Sequence, residues 1–388
     1  MLDFIYRVPT KVYFGKNQMI HLGSELLGYG KKVLLTYGGG SIKKTGLYDN
    51  VMAELKKAGL EVYELSGIEP NPRIDSVRKG AQICKDKKID VILAVGGGST
   101  IDASKWIAAG ACVDFDTWDF FTKGAVPEKA LPLVTILTLA ATGSEMDMTG
   151  VISNPETNEK YGKSAQVLFP RASFLNPELT YTVNKFQTAC GSADILSHLI
   201  ETYFNPGESM YMLDSAIEGF MKTVIKYAPV ALEKPEDYEA RANLMWASSW
   251  AINGFTRSCQ VGSWSCHPME HELSAFYDIT HGLGLAILTP RWLRFCLDEG
   301  TQERYVKFGV NVWGVDASLP PMDIAIKGIE KTEEFLFDTL GLDSRLSKIG
   351  IDDTHFKQMA HKACKGKVIN GYKQFTPDDV EKIYRMSL

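Results

Sequence analysis

An apolar, β-rich run that ends in Gly-Gly-Gly-Ser occurs twice in this chain, and no other feature constrains the fold as much. Residues 31–37 (KKVLLTY) lead into Gly38-Gly39-Gly40-Ser41, and residues 89–95 (IDVILAV) lead into Gly96-Gly97-Gly98-Ser99. Apolar residues at helical spacing fill 47–59, 75–87 and 100–111. A short strand pattern occupies 61–65 and another buried run 131–139. Strand, helix and strand at this spacing predict parallel βαβ units with right-handed crossovers. Strands apolar throughout predict a sheet covered on both faces.

After about residue 185 the β-branched runs become rare, and helical patterns fill 189–204, 210–232, 238–253 and 322–340. This shift predicts an α/β domain over 1–185 and an all-α domain over 186–388, a division that suits 388 residues. A charged fraction of 23% and a net charge of -5 describe an ordinary globular enzyme with no electrostatic footprint for nucleic acid. The seven cysteines are odd in number and irregularly spaced, with no CxxC, which argues for a reducing compartment. The N-terminus lacks the pattern of a signal peptide, and no run approaches the roughly 18 apolar residues of a membrane span. The expected location is the cytoplasm.

The glycine loops suggest a ligand. At a strand-to-helix junction, Gly97, Gly98 and Ser99 let a backbone approach closely, and the free N–H groups of the helix start suit a pyrophosphate. At the earlier loop, Gly38, Gly39 and Ser41 stand where a dinucleotide fold often places an acid to grip the adenosine ribose. With no acid there, and with Lys43 and Lys44 following, the loop favours NADP over NAD. Thr138 and Thr142 close the next strand with hydroxyls able to bond phosphate or carboxamide oxygens.

Four of the seven histidines fall in one part of the helical half. Asp194 and His198 share one helix face four residues apart, His267 and His271 repeat that spacing, and His281 follows in HGLGLAI. Three imidazoles and a carboxylate from this set would be enough to complete a divalent site, with Fe(II) and Zn(II) both suitable. The same residues support a rival reading. His267-Pro-Met-Glu270-His271 matches H-x-x-E-H, in which Glu270 activates water for peptide hydrolysis. Pro268 suits a helix start better than the helix interior that reading needs, and a peptidase gives the glycine loops no role. Trp264, Phe255 and Trp250 are assigned to core rather than to a pocket.

Together these segments resemble the iron-containing (group III) alcohol dehydrogenases, and more closely their NADP-linked butanol dehydrogenase and aldehyde reductase branch. The likeness rests on PTKVYFGKN, YGGGSIKKTG, EPNP at 69–72, AVGGGSTIDASK, TLAATGSE, NPELTYT, DILSH and HPMEHELSAFYDITHGLGLAIL, and so spans nearly the whole chain. It implies metal ligation by Asp194, His198, His267 and His281, with His271 near nicotinamide and substrate as a candidate proton relay. It also implies cofactor contacts from Gly97, Gly98, Ser99, Asp102, Thr138, Thr142 and Lys160. NAD-linked members carry an aspartate near the position of Gly39, and this chain departs from them there; NADP is favoured and NAD stays open. The implied fold is a Rossmann-like parallel α/β domain followed by an all-α domain, the dehydroquinate synthase-like architecture, with the site in the cleft between. The implied activity is hydride transfer between NADP(H) and a primary alcohol or aldehyde such as butanol or butanal, in a homodimer. A dehydroquinate synthase-like NAD- and metal-dependent lyase is the alternative. It is disfavoured by Asp194 at the first ligand position and by the lack of a Lys/Arg cluster for a phosphorylated substrate.

Overall fold

The apolar runs become strands because their side chains alternate between two buried faces. The computed structural model describes residues 3–207, 210–258 and 261–388. Its strands are β1 (Lys11–Phe14), β2 (Lys32–Tyr37), β3 (Glu61–Leu65), β4 (Val91–Gly96), β5 (Leu133–Leu137), β6 (Thr149–Asn154), β7 (Glu159–Ser164) and β8 (Ala172–Leu175), besides a two-residue pair near the C-terminus. Among the described residues, six of them form one parallel sheet in the order β1-β8-β5-β4-β2-β3. Strands β6 and β7 form a separate antiparallel hairpin.

Leu34, Ile92 and Ala94 enter one apolar cluster, while Val33, Leu35, Val91, Leu93 and Val95 enter the other. Helix α1 (Leu47–Lys57) packs on the second face through Val51 and Leu55. Helices α2 (Ile74–Lys87) and α3 (Gly98–Gly110) pack on the first through Ile74, Val77, Ile101, Trp106 and Ile107. Register pairs Tyr37 with Val95 and Val95 with Ile136, so the loops after β2, β4 and β5 stand side by side at the carboxyl edge. The Thr138 amide donates to the Gly96 carbonyl at 3.0 Å, tying two of these loops together.

Helix α3 is buried almost all round, including its polar residues. Lys105 Nζ donates to Asp147 Oδ1 at 2.5 Å and to the Thr149 carbonyl at 2.6 Å. Asp102 accepts from Ser144 Oγ at 2.5 Å and from the Val151 amide at 2.9 Å, and Trp106 Nε1 donates to the Gly150 carbonyl at 2.9 Å. These bonds fasten the β6–β7 hairpin to α3.

Among the described residues, the remaining α-helices of eight residues or more are α4 (Lys185–Tyr203), α5 (Tyr211–Glu233), α6 (Tyr238–Ile252), α7 (Cys266–Tyr277), α8 (His281–Cys296), α9 (Gln302–Asn311), α10 (Pro321–Glu333), α11 (Phe356–Ala363) and α12 (Pro377–Met386). Asn184 starts α4 by accepting the Gln187 amide at 2.8 Å, and a Thr376–Asp379 capping box starts α12. The chain divides into two compact units. One joins Arg7–Val183 to Glu236–Asn253, which carries α6; the other comprises the residues up to Tyr6, Asn184–Pro235 and Gly254–Leu388. No described helix is long and apolar enough to cross a membrane. The six described cysteines are free, and Cys259 lies outside the described residues.

Removing one partner of a buried ion pair strands the other charge. Lys105 is wholly buried and the Asp147 side chain is 6% exposed. Lys105→Met is therefore expected to lower the unfolding free energy by about 3–5 kcal/mol, read by guanidinium titration. A loss below about 1 kcal/mol, the range of exposed pairs, would show that the pair does not anchor the hairpin.

Candidate metal centre

Helix α4 presents Asp194, His198 and Glu201 at i, i+4 and i+7, one face of the helix, with all three buried. Helix α7 begins against that face. Its own N-cap residue, Ser265, makes no side-chain cap. The Glu201 carboxylate replaces it, accepting the amides of Ser265 at 2.6 Å, Cys266 at 2.7 Å and His267 at 2.9 Å. This acid satisfies N–H groups that a helix start leaves without partners, and its charge suits the positive end of the helix. Pro268 falls in the first turn of α7, where no intrahelical N–H is required.

His281 opens α8, and the next residue decides where it sits. A Cβ on Gly282 would lie 2.1 Å from the backbone carbonyl oxygen of Cys190, one turn before Asp194 on α4. Only glycine permits this approach, which carries the His281 imidazole to the Asp194 carboxylate.

Asp194 Oδ1 lies 3.5 Å from His198 Nε2, 3.7 Å from His281 Nε2 and 3.9 Å from His267 Nε2. Among the described residues, neither Asp194 Oδ1 nor His267 Nε2 has a hydrogen-bond partner, although both are buried. Such separations suit donor atoms that each sit roughly 2.0–2.2 Å from one shared ion. The far sides of two rings are already committed. His267 Nδ1 pairs with Glu201 Oε2, and His281 Nδ1 pairs with Glu270 Oε2. A carboxylate on Nδ1 holds the proton there and leaves Nε2 as the free lone pair that a metal requires. The residues present therefore fit a divalent ion.

The charges agree. Burial acts to raise the Asp194 carboxyl, but His198, His267 and His281 outweigh it and hold it at about 2. Burial lowers His198 to about 4, leaving it neutral near pH 7. Burial also opposes a charge on His267, yet Asp194 and Glu201 raise it to about 9. The same field would favour a metal cation, whose binding would displace this proton.

His271 stands beside the four without joining them. It is half-buried, with its ring 5.6 Å from that of His281 and 6.5 Å from that of His267. The geometry also counts against the peptidase reading. Glu270 is wholly buried, with Oε1 accepting from Ser274 Oγ at 2.5 Å and Oε2 engaged by His281, so it is not poised to activate water. Trp264 was expected in the core, but its ring packs 4.5 Å from His267 and 5.1 Å from His198. The role of Glu201 was also not read from the sequence. Its position three residues after His198, on the same face, was the available signal.

In the α/β unit, Gly97 precedes α3 in extended backbone and Gly98 begins it. A Cβ on Gly98 would lie 2.3 Å from Thr142 Oγ1, so its absence lets the loop after β5 close against the helix start. Gly38 is half-buried, Gly39 and Ser41 are exposed, Thr138 and Thr142 are half-buried, and Lys160 is buried on β7. The Asp102 carboxylate is taken by Ser144 and Val151 and braces the hairpin. Lys43 Nζ lies 5.2 Å from the Tyr37 ring centre and 4.6 Å from that of Tyr48, and both phenols donate to Glu64.

Gly282→Ala is expected to push α8 off α4. Overpacking of this kind costs about 1–3 kcal/mol. A lower unfolding midpoint together with a lower metal content in the purified protein is the expected result. Unchanged values for both would show that the close approach is dispensable.

Comparison with known proteins gives this site its relatives. Residues 9–177 match the model of the iron-containing alcohol dehydrogenases, and residues 188–388 match that of the C-terminal region of the Fe-containing alcohol dehydrogenase family. The chain is 50% identical over its whole length to the full length of NADH-dependent butanol dehydrogenase A of Clostridium acetobutylicum. It is 34% identical to the NADPH-dependent aldehyde reductase YqhD of Escherichia coli, over 93% of each chain. The crystal structure of an NADH-dependent butanol dehydrogenase A from Thermotoga maritima superposes with a TM-score of 0.94 at 37% identity, covering 99% of this chain and 98% of that one. The chain belongs to the iron-containing alcohol dehydrogenase family.

Proposed function

We propose that this protein interconverts primary alcohols and aldehydes of the butanol/butanal kind, using a nicotinamide cofactor and a divalent metal held by Asp194, His198, His267 and His281. The observation that carries this reading is the convergence of three Nε2 atoms on one buried carboxylate oxygen that has no hydrogen-bond partner among the described residues. A divalent ion held there would supply Lewis-acid polarisation of a carbonyl oxygen, and a bound reduced nicotinamide would supply the hydride. Asp194 contributes the anionic ligand, while Glu201 and Glu270 keep His267 and His281 in the metal-binding tautomer. His271, half-buried beside the four, passes a proton between the substrate oxygen and solvent. In the α/β unit, Gly97, Gly98 and Ser99 at the N-terminus of α3 receive the pyrophosphate. Gly38, Gly39 and Ser41 meet the adenosine ribose, and Thr138, Thr142 and Lys160 add cofactor contacts.

In the sequence, a loop without an acid over residues 38–41, followed by Lys43 and Lys44, favours NADP. In the folded chain the Lys43 ammonium lies over two phenol rings beside Glu64, which offsets its charge at the loop. With the NADH-dependent relative at 50% identity and the NADPH-dependent one at 34%, this supports NADH as the preferred cofactor. The ratio of kcat/KM for the two cofactors with butanal tests it, and a ratio favouring NADPH reverses the assignment.

The activity itself is read from NADH or NADPH oxidation with butanal after loading with Fe(II) or Zn(II). Asp194→Ala should abolish turnover and metal content together. Full activity in metal-stripped enzyme would refute the mechanism, and no turnover with any short aldehyde would favour the lyase alternative. His271→Ala should lower kcat and alter the pH–rate profile; if both stay as in the parent enzyme, the proton relay is wrong.

A further inference from the structure

The three imidazoles around Asp194 are not held alike. His267 and His281 each lean on a buried carboxylate through Nδ1, from Glu201 and Glu270. Among the described residues, His198 has no such support, and its buried Nδ1 has no hydrogen-bond partner. Its Nε2 is nevertheless the ring nitrogen nearest Asp194 Oδ1, at 3.5 Å. A ring on a helix without a second hydrogen bond has its plane set only by what it packs against.

Two rings pack against it. The His267 imidazole lies 4.7 Å away, with planes 11° apart, and the Trp264 indole lies 5.1 Å away at 28°. Trp264 also touches His267 at 4.5 Å, so the three rings form one mutually packed group. Trp264 is half-buried, and its indole N–H is buried without an acceptor among the described residues. Its place is thus set by ring packing and not by a hydrogen bond of the indole. Arg257 lies over the indole at 5.0 Å from its centre.

We propose that Trp264 is the positioning residue for His198, holding by ring stacking the one imidazole that no carboxylate orients. Stacking fixes the plane of the ring while Asp194 and the ion select which nitrogen faces inward. This gives Trp264 a function in metal retention beyond packing. The proposal rests on the metal reading above.

Competition with a chromophoric chelator for Zn(II), starting from metal-free protein, tests it. Outer contacts that orient metal-binding imidazoles are typically worth about 10–100-fold in metal affinity. Trp264→Leu and Trp264→Met, which remove the ring but keep bulk, should each weaken Zn(II) binding by about tenfold or more. Trp264→Phe should restore most of it. The melting temperature of the metal-free protein should be the same in all four proteins. With Co(II) bound, the visible absorption bands should shift in the Leu and Met variants and stay near the parent bands in the Phe variant. Zn(II) affinity equal to the parent in Leu or Met overturns the proposal. So does a lowered metal-free melting temperature in both, which would make Trp264 a packing residue only. Asp194→Ala separates the two levels. Parent-like Zn(II) binding in that variant would refute the metal site itself, whereas loss there with retention in Trp264→Leu refutes only the role of Trp264.

Discussion

A carboxylate buried in the middle of a helix must be compensated, and the helical unit is arranged around that requirement at Asp194. Its side chain is nearly inaccessible, yet Oδ1 has no hydrogen-bond partner among the described residues. Three imidazole nitrogens stand at 3.5–3.9 Å from it, separations suited to atoms that share an ion. Burying a carboxylate without a compensating positive charge costs several kcal/mol, and here the imidazoles, with a cation among them, supply that compensation. The buried carboxylate is therefore itself evidence for a cationic ligand.

Helix ends bring the site together. His267 lies in the first turn of α7 and His281 opens α8, so both imidazoles are delivered by chain segments arriving at α4. Glu201 does two jobs with one carboxylate, capping α7 and orienting His267. Gly282 gives α8 its close approach. These devices combine backbone placement with side-chain contacts that aim the imidazoles at Asp194.

The α/β unit follows the same logic with different means. Parallel register sets three glycine- or hydroxyl-bearing loops side by side, and the buried Lys105–Asp147 and Asp102–Ser144 bonds hold α3 against the hairpin. The Tyr37–Tyr48–Glu64 group beside Lys43 shows how a loop that reads as cationic can be locally offset once its neighbours are in place.

Long, strongly periodic segments were legible from residue order alone, because burial on both faces demands continuous apolar runs and helices demand a repeat near 3.6. Strands β2 to β5 and helices α4 to α6 follow from that, as does the shared face of Asp194 and His198. Strands β1 and β8, four residues each, are too short to show a period, and β7 (EKYGKS) carries too many polar residues to read as buried. What only the tertiary structure decided is which groups meet across the chain. Glu201 faces the start of a helix that begins 65 residues later, Trp264 packs on an imidazole rather than filling core, and Glu270 orients His281 rather than activating water. Local sequence carries periodicity and residue chemistry, whereas the partner of a buried charge is set by long-range packing, which no spacing pattern encodes.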